Sequence, residues 1–226
     1  MNQETEKTIW VFGYGSLLWK TNFPYQHQLI GHVKGYARRF WQGSMHHRGV
    51  PDAPGRVVTL VKSSKETTYG LAFKVKSSDV TEVLTYLNNR EVVSGGYTTK
   101  RVSFFPSDTC DSPFEVLLYI ATENNPEYLG PAPPLSIAQQ ILNSAGPSGC
   151  NVEYLMELAR TMKEIAPVVR DEHLFTLEAE VTKLLTTNGT DCIICMKYCQ
   201  SRNFDVLQLS IQGDIFSPIS WEIADK

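Results

Sequence analysis

Apolar and β-branched residues come in short runs through the first half of the chain, which is the pattern of β-strands. The runs are 56–61, 68–75, 98–105 and 114–121, with a shorter one around Val11 and Phe12. The run at 114–121 is apolar along most of its length, so it predicts a strand buried in the core. The first half of the chain is therefore predicted to be mostly strand.

Helical spacing of apolar residues appears once in the first half and then dominates the second half. The first such segment is 79–90, where Asp79 and Glu82 fit a capping box. The later helices are predicted over 134–144, from an N-cap at Asn151 to Met162, and from Asp171 to Leu185. Strands followed by helices indicate an α+β domain with an antiparallel or barrel-like sheet.

These patterns divide the chain into three segments. Residues 1–8 form a polar N-terminal extension, and 9–188 contain every predicted strand and helix. Asn188 and Gly189 are typical of a helix end, and the C-terminal tail at 189–226 shows only short apolar pieces. We expect one domain at 9–188, and the pattern does not predict whether the tail packs on it.

Composition excludes several classes of function. With 226 residues, 42% of them hydrophobic, the chain can bury one substantial core. A net charge of −3 gives no electrostatic reason to expect nucleic acid or an anionic membrane as partner. No apolar run approaches the roughly 18 residues of a membrane span, and the polar N-terminus is unlike a signal or transit peptide. Composition leaves the oligomeric state open.

The cysteines indicate a reducing compartment. There are five, and three of them are crowded into the segment 192–199, unlike the disulfide framework of a secreted protein. A cytoplasmic protein is therefore expected.

The three cysteines at 192–199 would need a fourth ligand to hold a structural zinc, and the adjacent His46 and His47 also lack an evident third ligand. No metal or cofactor is predicted, and the basic aromatic segment 38–41 is interpreted as a strand with core aromatics.

The run around Phe12 leads directly into Gly13-Tyr14-Gly15-Ser16. Two glycines one residue apart allow a sharp turn that presents backbone N–H groups to a ligand, and two hydroxyls lie in the same turn. Leu18 excludes a dinucleotide fingerprint, and the spacing excludes a phosphate-binding P-loop and a nucleophile elbow. The residues alone fit a plain tight turn as well as a binding site.

Glu91 is a candidate acid–base group. It follows the helix predicted at 79–90, where the macrodipole favours a cation over an acid, and an apolar pair comes directly after it. Burial would raise the pKa of its carboxyl and make it a better proton acceptor near neutral pH. The alternative is an exposed acid that pairs with Arg90 or Arg101.

Several ordered motifs together resemble the ChaC family of glutathione-specific gamma-glutamylcyclotransferases. The matching segments are 10–17, 37–42, 47–51, 54–61, 86–91, 95–97, 128–133 and 146–155. The resemblance runs from about residue 9 to about residue 187. It implies a mixed β-barrel with flanking α-helices, in agreement with the α+β pattern. It also implies a reaction in which the γ-glutamyl α-amine attacks its own γ-amide, giving 5-oxoproline and Cys-Gly.

The resemblance also assigns roles to residues. Glu91 becomes the catalytic acid–base, with no metal or cofactor required. The substrate-binding residues that it implies are Val11, Phe12, Gly13, Tyr14, Gly15, Ser16, Leu17, Tyr154 and Glu82. A capping role explains Glu82 equally well.

Two departures from the family bear on selectivity. His46 stands where many relatives carry Asp, and the chain is two residues longer between Glu91 and the 95–97 motif. Glutathione is the expected substrate. Other γ-glutamyl amino acids or amines are the alternative. A silent binding protein on this fold is a further one, which the presence of Glu91 together with Tyr14-Gly15-Ser16 disfavours.

Overall fold

The computed structural model describes residues 8–93, 96–107 and 111–187, with the backbone only at 92 and 93. Except for Thr8, the predicted N-terminal extension lies outside the described residues, as does the predicted tail at 189–226. Within the described part of the chain, no helix is long and apolar enough to cross a membrane.

Five strands form a closed barrel in the order β1-β3-β2-β4-β5. They are β1 (Ile9–Gly13), β2 (His27–Ser44), β3 (Gly55–Val75), β4 (Thr98–Pro106) and β5 (Phe114–Ile120). Four of the pairings are antiparallel, whereas β1 pairs with β5 in parallel through Val11 and Leu117. The expected mixed barrel is therefore confirmed.

The two longest strands differ from the pattern-based prediction. β3 is continuous where two strands, 56–61 and 68–75, were predicted, because the polar residues between them lie on an exposed part of the ladder. β2 was predicted only at 38–41, and there Phe40 is fully buried as expected. A register shift at Gly35, whose φ is +82°, bends β2, and that conformation favours glycine.

Four helices flank the barrel: α1 (Val80–Leu87), α2 (Pro134–Asn143), α3 (Asn151–Ile165) and α4 (Glu172–Thr187). A two-residue hairpin, β6 (Ala145–Gly146) with β7 (Gly149–Cys150), separates α2 from α3. Apolar faces of the helices and inward side chains of the barrel form one continuous core. The predicted later helices are confirmed to within a few residues.

Two predicted helix caps are wrong. Asp79 makes no capping bond to α1, because a 3₁₀ turn, Ser77–Asp79, precedes that helix. The Asn151 amide does not cap α3; it accepts from Arg56 N (2.5 Å) and donates to Arg56 O (2.8 Å). Asp171 does cap α4, since its Oδ1 accepts from Leu174 N at 3.1 Å.

Candidate active site

A cavity of about 400 Å³ opens at one end of the barrel. Its walls come from the turn after β1, the end of β2 and the loop that follows, β3, the segment after α1, and α3. Among the residues predicted to bind or react, those that line it are Phe12, Tyr14, Gly15, Ser16, Leu17, Glu91 and Tyr154. The structure thus brings together residues that are far apart in sequence.

Three predicted site residues lie elsewhere. Val11 is fully buried within the barrel, and Gly13 pairs with Leu71 of β3; neither lines the cavity. They support the turn rather than face a ligand. Glu82 lies exposed on α1 and is also absent from the cavity wall.

The glycine turn is held tightly against the opposite wall. After Gly15 the chain forms a short 3₁₀ turn, Ser16–Leu18, closed by Leu18 N donating to Gly15 O at 2.9 Å. A Cβ at Gly15 would lie 2.8 Å from Val58 Cγ2 and 2.9 Å from Tyr154 Oη. The backbone at Gly15 therefore packs so closely against Val58 and Tyr154 that a side chain there would force them to move. A turn that only connected two elements would not need this close packing.

Glu91 lies on a π-helical turn, Asn88–Val93, that continues α1. The prediction of one α-helix over 79–90 is therefore wrong at its end, and π-turns are often found at functional sites. The Glu91 side chain is 18% exposed, and its Oε1 lies 3.0 Å from Arg90 Nε. Burial raises the pKa of Glu91, and the nearby Arg90 charge opposes that rise.

The alternative of a solvent-exposed acid is thus wrong, although the predicted Arg90 pairing exists. Arg101, the other candidate partner, instead pairs with Glu115 at 2.8 Å on the barrel surface.

Three tyrosine hydroxyls around the cavity donate to protein acceptors. Tyr14 donates to Tyr119 O (2.6 Å) and Tyr97 to Val58 O (2.9 Å), whereas the Tyr119 hydroxyl donates to Asn88 Oδ1 (3.0 Å). Burial raises the pKa of Tyr14 and of Tyr97 well above the ordinary value, and that of Tyr119 to about 12. These phenols are neutral at physiological pH and hold the walls of the cavity.

Tyr154 is oriented differently. Its hydroxyl accepts from Val58 N at 3.4 Å, so its own proton can be donated to a ligand. Burial raises the pKa of Tyr154 to about 12, which keeps that proton in place.

Sequence reasoning missed several cavity residues. Tyr119 stands between apolar residues in β5, so the sequence pattern does not distinguish it from a core residue. Glu127 lies in a loop after β5, where its Oε1 is 3.8 Å from His46 Nε2, and burial raises its pKa. Arg48 lines the cavity and forms an ion pair with Glu153 at 3.1 Å. Contacts between loops that are distant in sequence leave no hydrophobic periodicity in the chain, so the sequence pattern could not predict them.

The adjacent His46 and His47 make ordinary polar contacts. His47 Nδ1 lies 3.3 Å from Ser148 Oγ, and burial lowers the pKa of His47. In the described ranges no three His, Cys, Asp or Glu side chains are grouped to hold a metal ion. The cysteines of segment 192–199 lie outside the described residues.

Comparison with known proteins identifies the family. A family model described as ChaC-like protein matches residues 9–184. The chain belongs to this family. The ChaC-like chain is 51% identical over 179 residues to glutathione-specific gamma-glutamylcyclotransferase 1 of Rattus norvegicus, a match covering 79% of this chain and 81% of the relative.

Other ChaC-like relatives agree in sequence and in fold. The Homo sapiens protein of the same name is 48% identical over 184 residues, covering 81% of this chain and 83% of the relative. A crystal structure of the yeast gamma-glutamyl cyclotransferase specific to glutathione superposes with a TM-score of 0.71 at 30% identity. That match covers 78% of this chain and 96% of the yeast chain, so the barrel and helices are those of the family.

Proposed function

We propose that this ChaC-like protein is a glutathione-specific gamma-glutamylcyclotransferase with Glu91 as general acid–base. The names of its relatives support the substrate. The observation that carries the proposal is a buried carboxyl, Glu91, in the same cavity wall as the Gly15-Ser16 turn. The reaction needs two parts. One is a turn whose backbone N–H groups bind the substrate, and the other is a poorly solvated base that removes a proton.

The first step is proton removal. The α-amine of the γ-glutamyl group is an ammonium at neutral pH and cannot attack until it loses a proton. The Glu91 carboxylate accepts that proton, and its raised pKa makes it a stronger base than an exposed glutamate. The amine nitrogen then forms a bond to the γ-carbonyl carbon, and the carbonyl electron pair moves to oxygen.

Collapse of this tetrahedral species completes the reaction. The C–N bond to the cysteine nitrogen breaks as the protonated Glu91 gives its proton to that nitrogen. The ring nitrogen then loses its second proton, which the released Cys-Gly amine takes up as an ammonium, and Glu91 is again a carboxylate. The products are 5-oxoproline and Cys-Gly, and no water is consumed. Because attacker and target belong to one molecule, the main task of the cavity is to hold the γ-glutamyl chain folded.

The remaining cavity groups bind the substrate. We expect backbone N–H groups of the turn at 14–16 to donate to the α-carboxylate or to the developing oxyanion. Tyr154, whose proton is available, is the second donor toward the same region. Glu82 is left out of this assignment because it lies outside the cavity.

The test compares two carboxyl-to-amide variants on adjacent elements. Purified protein is incubated with glutathione, and 5-oxoproline is followed for wild type, Glu91→Gln and Glu82→Gln. We expect Glu91→Gln to lower kcat by about 10²-fold to 10⁴-fold, since it removes the acid–base group but keeps the shape. Exposed Glu82 is the matched control, and Glu82→Gln should behave as wild type.

Turnover that survives in Glu91→Gln would contradict the mechanism. Parallel incubation with γ-glutamyl-alanine tests the substrate, because a preference for it over glutathione would favour the alternative specificity. The cytoplasm is the compartment that we propose, on the basis of the cysteine content.

A further inference from the structure

The guanidinium of Arg90 contacts both halves of the site. Its Nη2 donates to Ser16 Oγ at 2.7 Å, and its Nε lies 3.0 Å from Glu91 Oε1. Its Nη1 donates to Lys20 O (3.2 Å) and reaches the Tyr86 hydroxyl at 3.4 Å. One side chain, only 19% exposed, therefore joins the glycine turn to the residue proposed as the base.

The contact to Ser16 fixes what that hydroxyl can do. A guanidinium carries donors and no acceptor, so Ser16 Oγ must accept from Arg90. The hydroxyl proton is then directed away from Arg90. Because Ser16 lines the cavity, this proton is available to an oxygen of a bound substrate.

The contact to Glu91 fixes the carboxyl in a similar way. Arg90 engages one oxygen, Oε1, so the second oxygen, Oε2, is the one that a substrate amine can use. Burial of Glu91 raises its pKa and so favours the protonated form. The positive charge of Arg90 acts in the opposite direction and lowers that pKa. A base in this position must be charged before it accepts a proton, and Arg90 is the cation in contact with it.

We propose that Arg90 is a positioning residue that turns Glu91 toward the substrate amine, keeps it ionised, and sets Ser16 as a donor. This inference rests on the proposed role of Glu91. The Lys20 and Tyr86 contacts are compatible with a purely structural role, so the test must measure something that loop support alone would not change.

Other titratable groups face the same space. The tyrosines whose pKa responds to the Glu91 charge are Tyr14, Tyr97, Tyr119 and Tyr154. All have raised pKa values and stay neutral through the acidic range. Lys20, His46, His47 and Glu127 also line the cavity. Because other ionisable groups share this cavity, the Glu91 carboxyl is also followed directly, by ¹³C NMR titration.

The decisive variant is Arg90→Met, which keeps an unbranched apolar stem but removes the charge and all donors. We expect the acidic midpoint of kcat/KM, and the NMR midpoint of Glu91, to rise by about one pH unit because the stabilising cation is gone. Arg101→Met is the matched control, since Arg101 pairs with Glu115 on the surface. It should leave both midpoints unchanged.

Arg90→Lys tests geometry separately from charge. An ammonium is a point charge and cannot span Ser16 and Glu91 as the guanidinium does. We expect a midpoint near that of wild type, with kcat lowered by roughly tenfold to hundredfold through misplacement of the base. Wild-type kcat in Arg90→Lys would overturn the positioning role, and this holds even if Arg90→Met fails to fold.

The two proposals fail in distinguishable ways. A folded Arg90→Met with unchanged midpoints would overturn the inference about Arg90 while Glu91→Gln remains inactive. An active Glu91→Gln would instead remove the proposed base itself. Far-UV circular dichroism of every variant establishes that the measured protein is folded.

Discussion

At the residue scale, Gly15 is a position where the cavity wall leaves no room for a side chain. The Cβ of an alanine would meet Val58 Cγ2 and Tyr154 Oη at under 3 Å. We expect Gly15→Ala to lower the free energy of unfolding by about 1–3 kcal/mol through overpacking. Displacement of Tyr154 should also raise KM for glutathione.

A second substitution tests this explanation. Val58→Ala removes the methyl group that the new Cβ would strike, so the double variant should recover part of the lost stability. Thermal unfolding of the two single variants and the double variant forms a double-mutant cycle. Strict additivity of the two effects would show that the contact with Val58 does not cause the loss.

Local patterns predicted some of the residues that line the cavity and could not predict others. Tyr14, Ser16 and Glu91 were found because a glycine turn and a misplaced acid are visible within a few neighbours. The role that we propose for Arg90 depends on its contact with Ser16, which is 74 residues away in sequence. That relation exists only after the barrel brings the two segments together.

At the element scale, the start of α3 is anchored to β3 by one buried amide. Asn151 is fully buried and bonds to both backbone groups of Arg56. Asn151→Ala leaves a buried N–H and C=O unsatisfied, so we expect about 2–4 kcal/mol less stability in urea unfolding. Asn143→Ala, at an exposed amide on α2, is the control and should change stability by about 0.5 kcal/mol or less.

This anchor also explains why the predicted cap was wrong. Asparagine before an apolar helical stripe is typical of an N-cap, yet the Asn151 amide has tertiary partners that outweigh a local one. The element itself was predicted because α3 has a long apolar face. The polar stretch of β3 was misinterpreted for a related reason: exposed strand residues have the composition of a loop.

At the scale of the whole molecule, α4 is joined to the barrel through β2 by polar contacts. Arg38 and Asp171 form a buried ion pair at 2.9 Å, and Phe40 N donates to His173 Nε2 at 3.0 Å. The latter bond requires a neutral imidazole. Burial, together with the Arg39 charge, lowers the pKa of His173 from 6.5 to about 4.

This pKa predicts a loss of stability in acid. Between about pH 6.5 and 4 the unfolded chain binds a proton at His173 and the folded chain does not, so stability falls as pH falls through that range. The full effect is on the order of 3 kcal/mol. Groups near His173 that also titrate or carry charge are Asp171, Glu66, Arg39 and Arg56.

The measurement is urea unfolding of wild type and His173→Gln at pH 7 and pH 5. Glutamine retains a neutral acceptor for Phe40 N but cannot be protonated, so its stability should fall less between the two pH values. Equal losses in both proteins would assign the acid sensitivity to other groups.

The parallel pairing of β1 with β5 has a consequence for how the protein is made. The glycine turn follows β1 and leaves the ribosome early, yet the Tyr14 hydroxyl is anchored on Tyr119, which is synthesised 105 residues later. A nascent chain therefore carries the glycine turn long before it has the strand on which Tyr14 is anchored. The cavity is incomplete until translation has passed β5 and the barrel has closed around its first strand.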